Sequence, residues 1–174
     1  MTITNSFSVN TKIKSAQVNQ NFIDVYRFIK ASTSSSITFI STNAQIPAND
    51  TIPQIGEGVE VISKAHALEE ATNILHITGS ITCGSVAIDK VCLALFNGAS
   101  NAIDCKWGTL VDADTPLFLA IDSWIIPATT DSKTYTMRTG VDAGARRIDV
   151  NGWAGARKGG GQLKTQIIIE EFKV

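Results

Sequence analysis

The sequence predicts a mainly β fold: a short N-terminal helix followed by an antiparallel jelly-roll β-sandwich, assembled as a trimer. Three observations lead there. From Gly58 onward, short apolar runs alternate with turn residues, and no interior stretch carries the helical spacing that a parallel βαβ crossover needs. Helical periodicity occurs instead in one place, KIKSAQVNQNFIDVYRFI from Lys12 to Ile29. Finally, several of the β runs are apolar on both faces, which calls for cover beyond a single sandwich core.

The elements follow in order. Residues 1–12 read as an extended polar arm. Residues 13–30 read as a helix, with Ser15 as N-cap and Ile13 placed for a staple contact. Val18, Phe22, Val25 and Ile29 recur at spacings of four, three and four, a narrow seam of the kind helix bundles bury. A helix this short is marginal alone, so the seam is expected to meet copies of itself. The tract ASTSSS (31–36) reads as a flexible linker, closing an anchoring segment at 1–36. Residues 37–55, with Pro47 and Pro53, read as an extended arm leading the β-domain of 37–174. Eight strands are expected near 59–68, 73–82, 86–96, 102–107, 117–126, 133–139, 146–151 and 162–172. Asn97-Gly98, Pro116, Pro127, Gly140 and Asn151-Gly152 are among the turn signals between them.

Strand patterning gives a second reason for assembly. VCLALF (91–96), LFLAI (117–121), WII (124–126) and III (167–169) are apolar on both faces, and a neighbouring protomer is the expected cover. By contrast, Tyr135, Met137 and Thr139 alternate with Thr136 and Arg138, as in a sheet that faces water. One sheet inside and one outside is the arrangement of trimeric jelly rolls, by analogy.

Two segments carry a family resemblance. KIKSAQVNQNFIDVY resembles a phrase near the N-termini of tailed-phage virion proteins, tail-fibre and appendage proteins in particular. The matching positions are Ile13, Ala16, Val18, Asn19, Asn21, Phe22 and Asp24. QLKTQIIIEEFKV resembles the closing strand of small jelly-roll domains in the same kind of protein, where a hydrophobic residue precedes paired glutamates, here Ile169, Glu170 and Glu171. The resemblance covers the two ends and not the middle. It implies a tailed-bacteriophage virion surface protein: a homotrimeric fibre-type appendage, anchored by its N-terminus to other virion proteins and engaged in host attachment. A capsid decoration or cement protein is the alternative.

Composition bounds the rest. The net charge of −1 disfavours nucleic-acid binding by bulk positive charge. MTITNSFSVN lacks a signal-peptide pattern, and no apolar run reaches the ~18 residues of a membrane span. A virion protein made in the host cytoplasm, without membrane insertion, fits. Cys83, Cys92 and Cys105 lack a paired CxxC spacing and read as reduced core thiols.

Motifs for chemistry are sparse, and a non-enzymatic protein without cofactor or metal is expected. His66 and His76 sit on candidate strands without further ligands at metal spacing. Asp104, Asp112 and Asp114 lack the calcium-loop spacing, and VDADTP reads as a turn with local side-chain bonds. Glu57, Glu60, Glu69 and Glu70 are candidate carboxylates for a third alternative, a glycan-active β-sandwich enzyme. NGWAGARKGGGQ (151–162) lacks the P-loop ending and reads as a long mobile loop. Within it, Trp153 either stacks on a ligand such as a host-surface glycan or closes one end of the sandwich. Arg157 and Lys158, with Arg146 and Arg147 nearby, add a local positive excess suited to an anionic surface.

Overall fold

The computed structural model describes residues 27–173 apart from 86, 113–114 and 144–145. In chain order the strands are β1 (Arg27–Ser36), β2 (Ile40–Thr42), β3 (Val59–His66), β4 (Ile74–Ser85), β5 (Asp89–Phe96), β6 (Asp104–Leu110), β7 (Leu117–Ile125), β8 (Lys133–Val141) and β9 (Ile148–Val150). A small hairpin of β10 (Gly152–Trp153) and β11 (Ala156–Arg157) follows, then a 3₁₀ turn at Gly159–Gly161 and β12 (Thr165–Lys173). All eight strands expected from the sequence are present.

The chain forms two antiparallel sheets packed face to face. In the first, β4 is central. It pairs with β7 on one side and with β12 and then β9 on the other, while β1 extends β12 and β2 extends β9. The second sheet runs β3-β8-β5-β6. Alternation along each strand sends one set of side chains between the sheets. Leu75, Ile77 and Ile81 of β4, Ile167 and Ile169 of β12 and Ile121 of β7 meet Leu93 and Leu95 of β5 and Tyr135 and Met137 of β8 there, all essentially inaccessible. Each such aliphatic burial is worth about 1.5–3 kcal/mol. Gly79 of β4 makes room for this layer, since a Cβ there would lie 2.2 Å from the Met137 sulfur.

Three expectations are corrected. Residues 27–36 are neither the end of a helix nor a linker: they form β1, registered against β12 from Arg27↔Lys173 to Ser36↔Thr165. Ile29 of the expected seam therefore lies in a strand, while Val18, Phe22 and Val25 lie outside the described residues. The physical reason is that ladder pairing to a segment far along the chain outweighs a local helical spacing, and a Ser/Thr tract offers helix formation little intrinsic support.

The second correction concerns β5. Its outer face is covered by the chain itself. The segment between β2 and β3 crosses the second sheet and buries Ile46 against Cys92, Ala94 and Phe96. Backbone bonds fix that segment, Ile46 N–H to Val141 O (3.0 Å) and Val141 N–H to Ala44 O (3.0 Å) among them. Arg138 adds bonds to the carbonyls of Glu57 and Gly58 at 2.8 and 2.9 Å. β8 does not face water either: Thr136 is buried, and Arg138 is half-buried with its guanidinium bonded to the arm. The third correction is that 151–162 is not an irregular loop, because it holds the β10–β11 hairpin and the 3₁₀ turn.

Candidate functional site

Among the described residues, no arm crosses the outer face of the β1-β12-β4-β7 sheet. Strand register sets out its residues in rows. Phe28 stands beside Phe172 and Ile74; Glu170, His76 and Trp124 form the next row; Ile168, Thr78 and Asp122 the one after. Phe28, Phe118, Trp124 and Ile126 are all exposed, Trp124 by 55%. The cluster is ordered by ring contacts: Phe28 meets Phe172 edge-on at 5.8 Å, and Trp124 lies 5.6 Å from Phe172. A β-bulge at Ile29 makes this possible. It shifts the register between Phe28 and Lys30, so that Phe28 points outward and Lys30 inward.

His76 lies at the centre of this face. Its ring stacks on Trp124 at 4.2 Å with planes 11° apart. Its Nδ1 is 3.1 Å from Glu170 Oε2 and its Nε2 2.9 Å from Asp122 Oδ1. One ring nitrogen donates in the neutral imidazole and both in the imidazolium. The face therefore combines aromatic surface with two carboxylates held by one histidine.

A second polar constellation is enclosed between the sheets. His66 Nδ1 is 3.1 Å from Ser32 Oγ, and Nε2 is 3.2 Å from Glu171 Oε2. Glu171 also accepts from Asn73 Nδ2 (2.6 Å) and Glu69 N–H (2.8 Å), and Lys30 Nζ lies 3.4 Å away. Burial lowers the proton affinity of His66 more than its carboxylate partner raises it. Burial pushes the Glu171 carboxyl up, but the donors Asn73 and Glu69, with Lys30 and His66, together hold it below its ordinary range. Hydroxyl, imidazole and carboxylate in a row is the order of a hydrolytic relay. Here both the His66 and Glu171 side chains are fully enclosed, and the row ties β1, β3 and β12 together.

The remaining sequence candidates fall elsewhere. Trp153 packs on β4, where a Cβ at Gly84 would lie 2.3 Å from the tryptophan Cβ; Lys158 Nζ sits 5.7 Å above its ring. Arg157 lies over Gly161, and Arg147 pairs with buried Asp149 at 3.2 Å. Asp149 also accepts from Ser41 Oγ and Gly155 N–H, and Arg146 N–H donates to Ala143 O at 3.1 Å. The hairpin is thus a fixed end of the sandwich with cations over it. The three cysteines are free thiols, and burial raises the Cys83 thiol to about 12. Asp112 Oδ1 accepts from Thr115 N–H at 2.7 Å, while Asp104 is held by Lys106 and Ser123. Glu57 accepts Gln54 N–H; Glu69 and Glu70 pair with Lys30 and Lys173. Among the described residues no cluster suits a metal ion, and no helix is long and apolar enough to cross a membrane.

No family model matches the chain, and no curated protein matches it. Among solved structures it is similar to that of the Gx strain of infectious bursal disease virus, at 12% identity and a TM-score of 0.37. That match covers 83% of this chain and 37% of the viral one. The crystal structure of the infectious bursal disease virus VP2 subviral particle is similar at 10% identity and a TM-score of 0.39, covering 83% and 38%. The chain thus spans well under half the length of these proteins, and likenesses this loose carry no argument about function.

Proposed function

We propose that this chain is a non-enzymatic structural protein of a virion, a self-associating surface component built on a jelly roll. The observation that carries the reading is the outer face of β1-β12-β4-β7, where Phe28, Phe118, Trp124 and Ile126 stand exposed. The opposite sheet has its own arm for cover; this one has none among the described residues. A second copy of the chain is the occupant that fits, because a cluster of Phe28, Phe172 and Trp124, with Phe118 further along the same face, is costly for a small domain to leave in water.

The strand order supports the jelly roll. Among β1, β3 to β8 and β12, only β5 and β6 are joined as a hairpin within one sheet; every other step crosses between sheets, as in two interlocked Greek keys. The resemblance of residues 12–26 to tail-fibre and appendage proteins gives the finer reading: a homotrimeric, fibre-type appendage of a tailed phage. Its N-terminal part would join other virion proteins and its β-domain serve host attachment. The test is the mass of the purified 174-residue chain by light scattering across a dilution series. A species of three chains is expected. A monomer at every concentration overturns the assembly reading, and a stable dimer overturns the trimer.

A further inference from the structure

Away from the assembly face, Trp107 stands between two clefts. It lies on β6 opposite Cys92, on the outer face of the second sheet, and is 39% exposed. On one side, a cleft of 520 Å³ opens between β6 and the arm, with Asn49, Asp50 and Thr51 on its wall. On the other, a cleft of 400 Å³ is bounded by Asn49, Lys90 and Thr109. Both volumes lie in the range of small-ligand sites.

The walls are fixed rather than adaptable. Ala48 N–H donates to Asp142 Oδ1 at 2.7 Å, and Asp142 N–H donates to Lys90 O at 3.0 Å, tying the arm to both β5 and the strand end beyond β8. Ile55 N–H to Ser100 O and Ala102 N–H to Pro53 O close the far end. An indole held in a rigid groove is an anchor that loses little entropy when a ligand arrives.

Some polar groups around the indole are engaged, Asn49 Oδ1 with Thr51 and Asp104 with Lys106 and Ser123, but four are not. Among the described residues, Asn49 Nδ2, the Asp50 carboxylate, Lys90 Nζ and Thr109 Oγ have no hydrogen bond or ion pair. An apolar ligand would desolvate them without return. A ligand that spans both clefts and carries strong single charge would meet either Asp50 on one side or Lys90 on the other with the wrong sign. What remains is a neutral ligand with hydroxyl groups on its rim and a C–H face for the indole.

We propose that the twin cleft around Trp107 binds saccharide, one pyranose ring stacking on the indole and its neighbours in the chain reaching Asn49 and Asp50 on one side and Lys90 and Thr109 on the other. The site is complete within one chain. It therefore stands or falls separately from the assembly reading, which is decided by mass.

The test titrates the 174-residue chain with four neutral trisaccharides built from glucose, galactose, mannose and N-acetylglucosamine, followed by calorimetry at millimolar ligand. Binding of at least one is expected, with Trp107→Ala weakening it by about tenfold or more. Trp124→Ala and Trp153→Ala should leave that affinity unchanged. If circular dichroism shows Trp107→Ala to be misfolded, Lys90→Ala combined with Thr109→Val replaces it and should weaken binding in the same direction. Failure of all four sugars to bind overturns the proposal. So does binding that survives these changes or that follows Trp124 or Trp153 instead.

Discussion

Glu171 and His66 make acid stability a property of two side chains. The Glu171 carboxyl is held below its ordinary value of 4.5, so on acidification the unfolded chain takes up that proton first. Its stabilisation is complete above that value and is lost as pH falls through the depressed folded one. His66 is lowered from 6.5, so the unfolded chain also protonates there before the folded one does. Both groups have the same sign: stability falls with pH, starting below about 6.5. Urea midpoints measured from neutral pH downward should show this decline, and Glu171→Gln should flatten its lower part. The variant should also lose about 2 kcal/mol at neutral pH, because Lys30 and the Asn73 and Glu69 donors lose a charged acceptor. Glycines give a second contrast at this scale. A Cβ at Gly140 would lie 2.8–2.9 Å from backbone atoms of 44–46, which cannot turn aside as a side chain can. Gly56 has open space around its Cβ position. Gly140→Ala should lower the melting temperature and loosen the arm, while Gly56→Ala leaves it near the parent value; equal melting temperatures would show that the arm is not packed as described.

At the scale of elements, the arm between β2 and β3 does for the second sheet what a partner was expected to do. Ile46 is its anchor, and Ile46→Ala should cost about 3 kcal/mol by leaving a cavity over β5. Cys92 reports on it independently: burial raises this thiol's pKa far above the ordinary range, so thiol reagents should modify Cys105 first in the parent and reach Cys92 readily only in the variant. The arm explains which parts of the fold were legible. β3 to β9 and β12 were readable because alternation and turn residues are local signals. The arm's cover of VCLALF was not, since nothing local tells Ile46 that it will lie over residues 92–96. β1 was misread because Val25 and Ile29 satisfy a helical spacing while the strand's partner is β12, more than a hundred residues on. The same distance hid the candidate site. His76, Asp122, Trp124 and Glu170 come from three strands, and only register brings them together. The paired glutamates were visible, but not that strand alternation sends Glu170 to the surface and Glu171 between the sheets.

For the whole molecule, two elements compete to drive self-association: the aromatic face and the seam of Val18, Phe22 and Val25, which lies outside the described residues. Charge placed in each separates them. Phe118→Asp combined with Trp124→Lys puts two charges on the exposed rows of β7, where neither side chain is part of the core, so the sandwich should keep its melting temperature within a few degrees. If the sheet face is the contact, the pair should reduce the mass to that of one chain, because Phe118→Asp buries an unpaired charge in each protomer and Trp124→Lys removes the ring at the centre of the face. Phe22→Asp tests the seam in the same way and should split the assembly while leaving the β-domain folded. Dissociation by both changes would mean that face and seam are joined in one interface. Three chains retained in the face variant would place assembly in the seam alone and return the aromatic face to another partner.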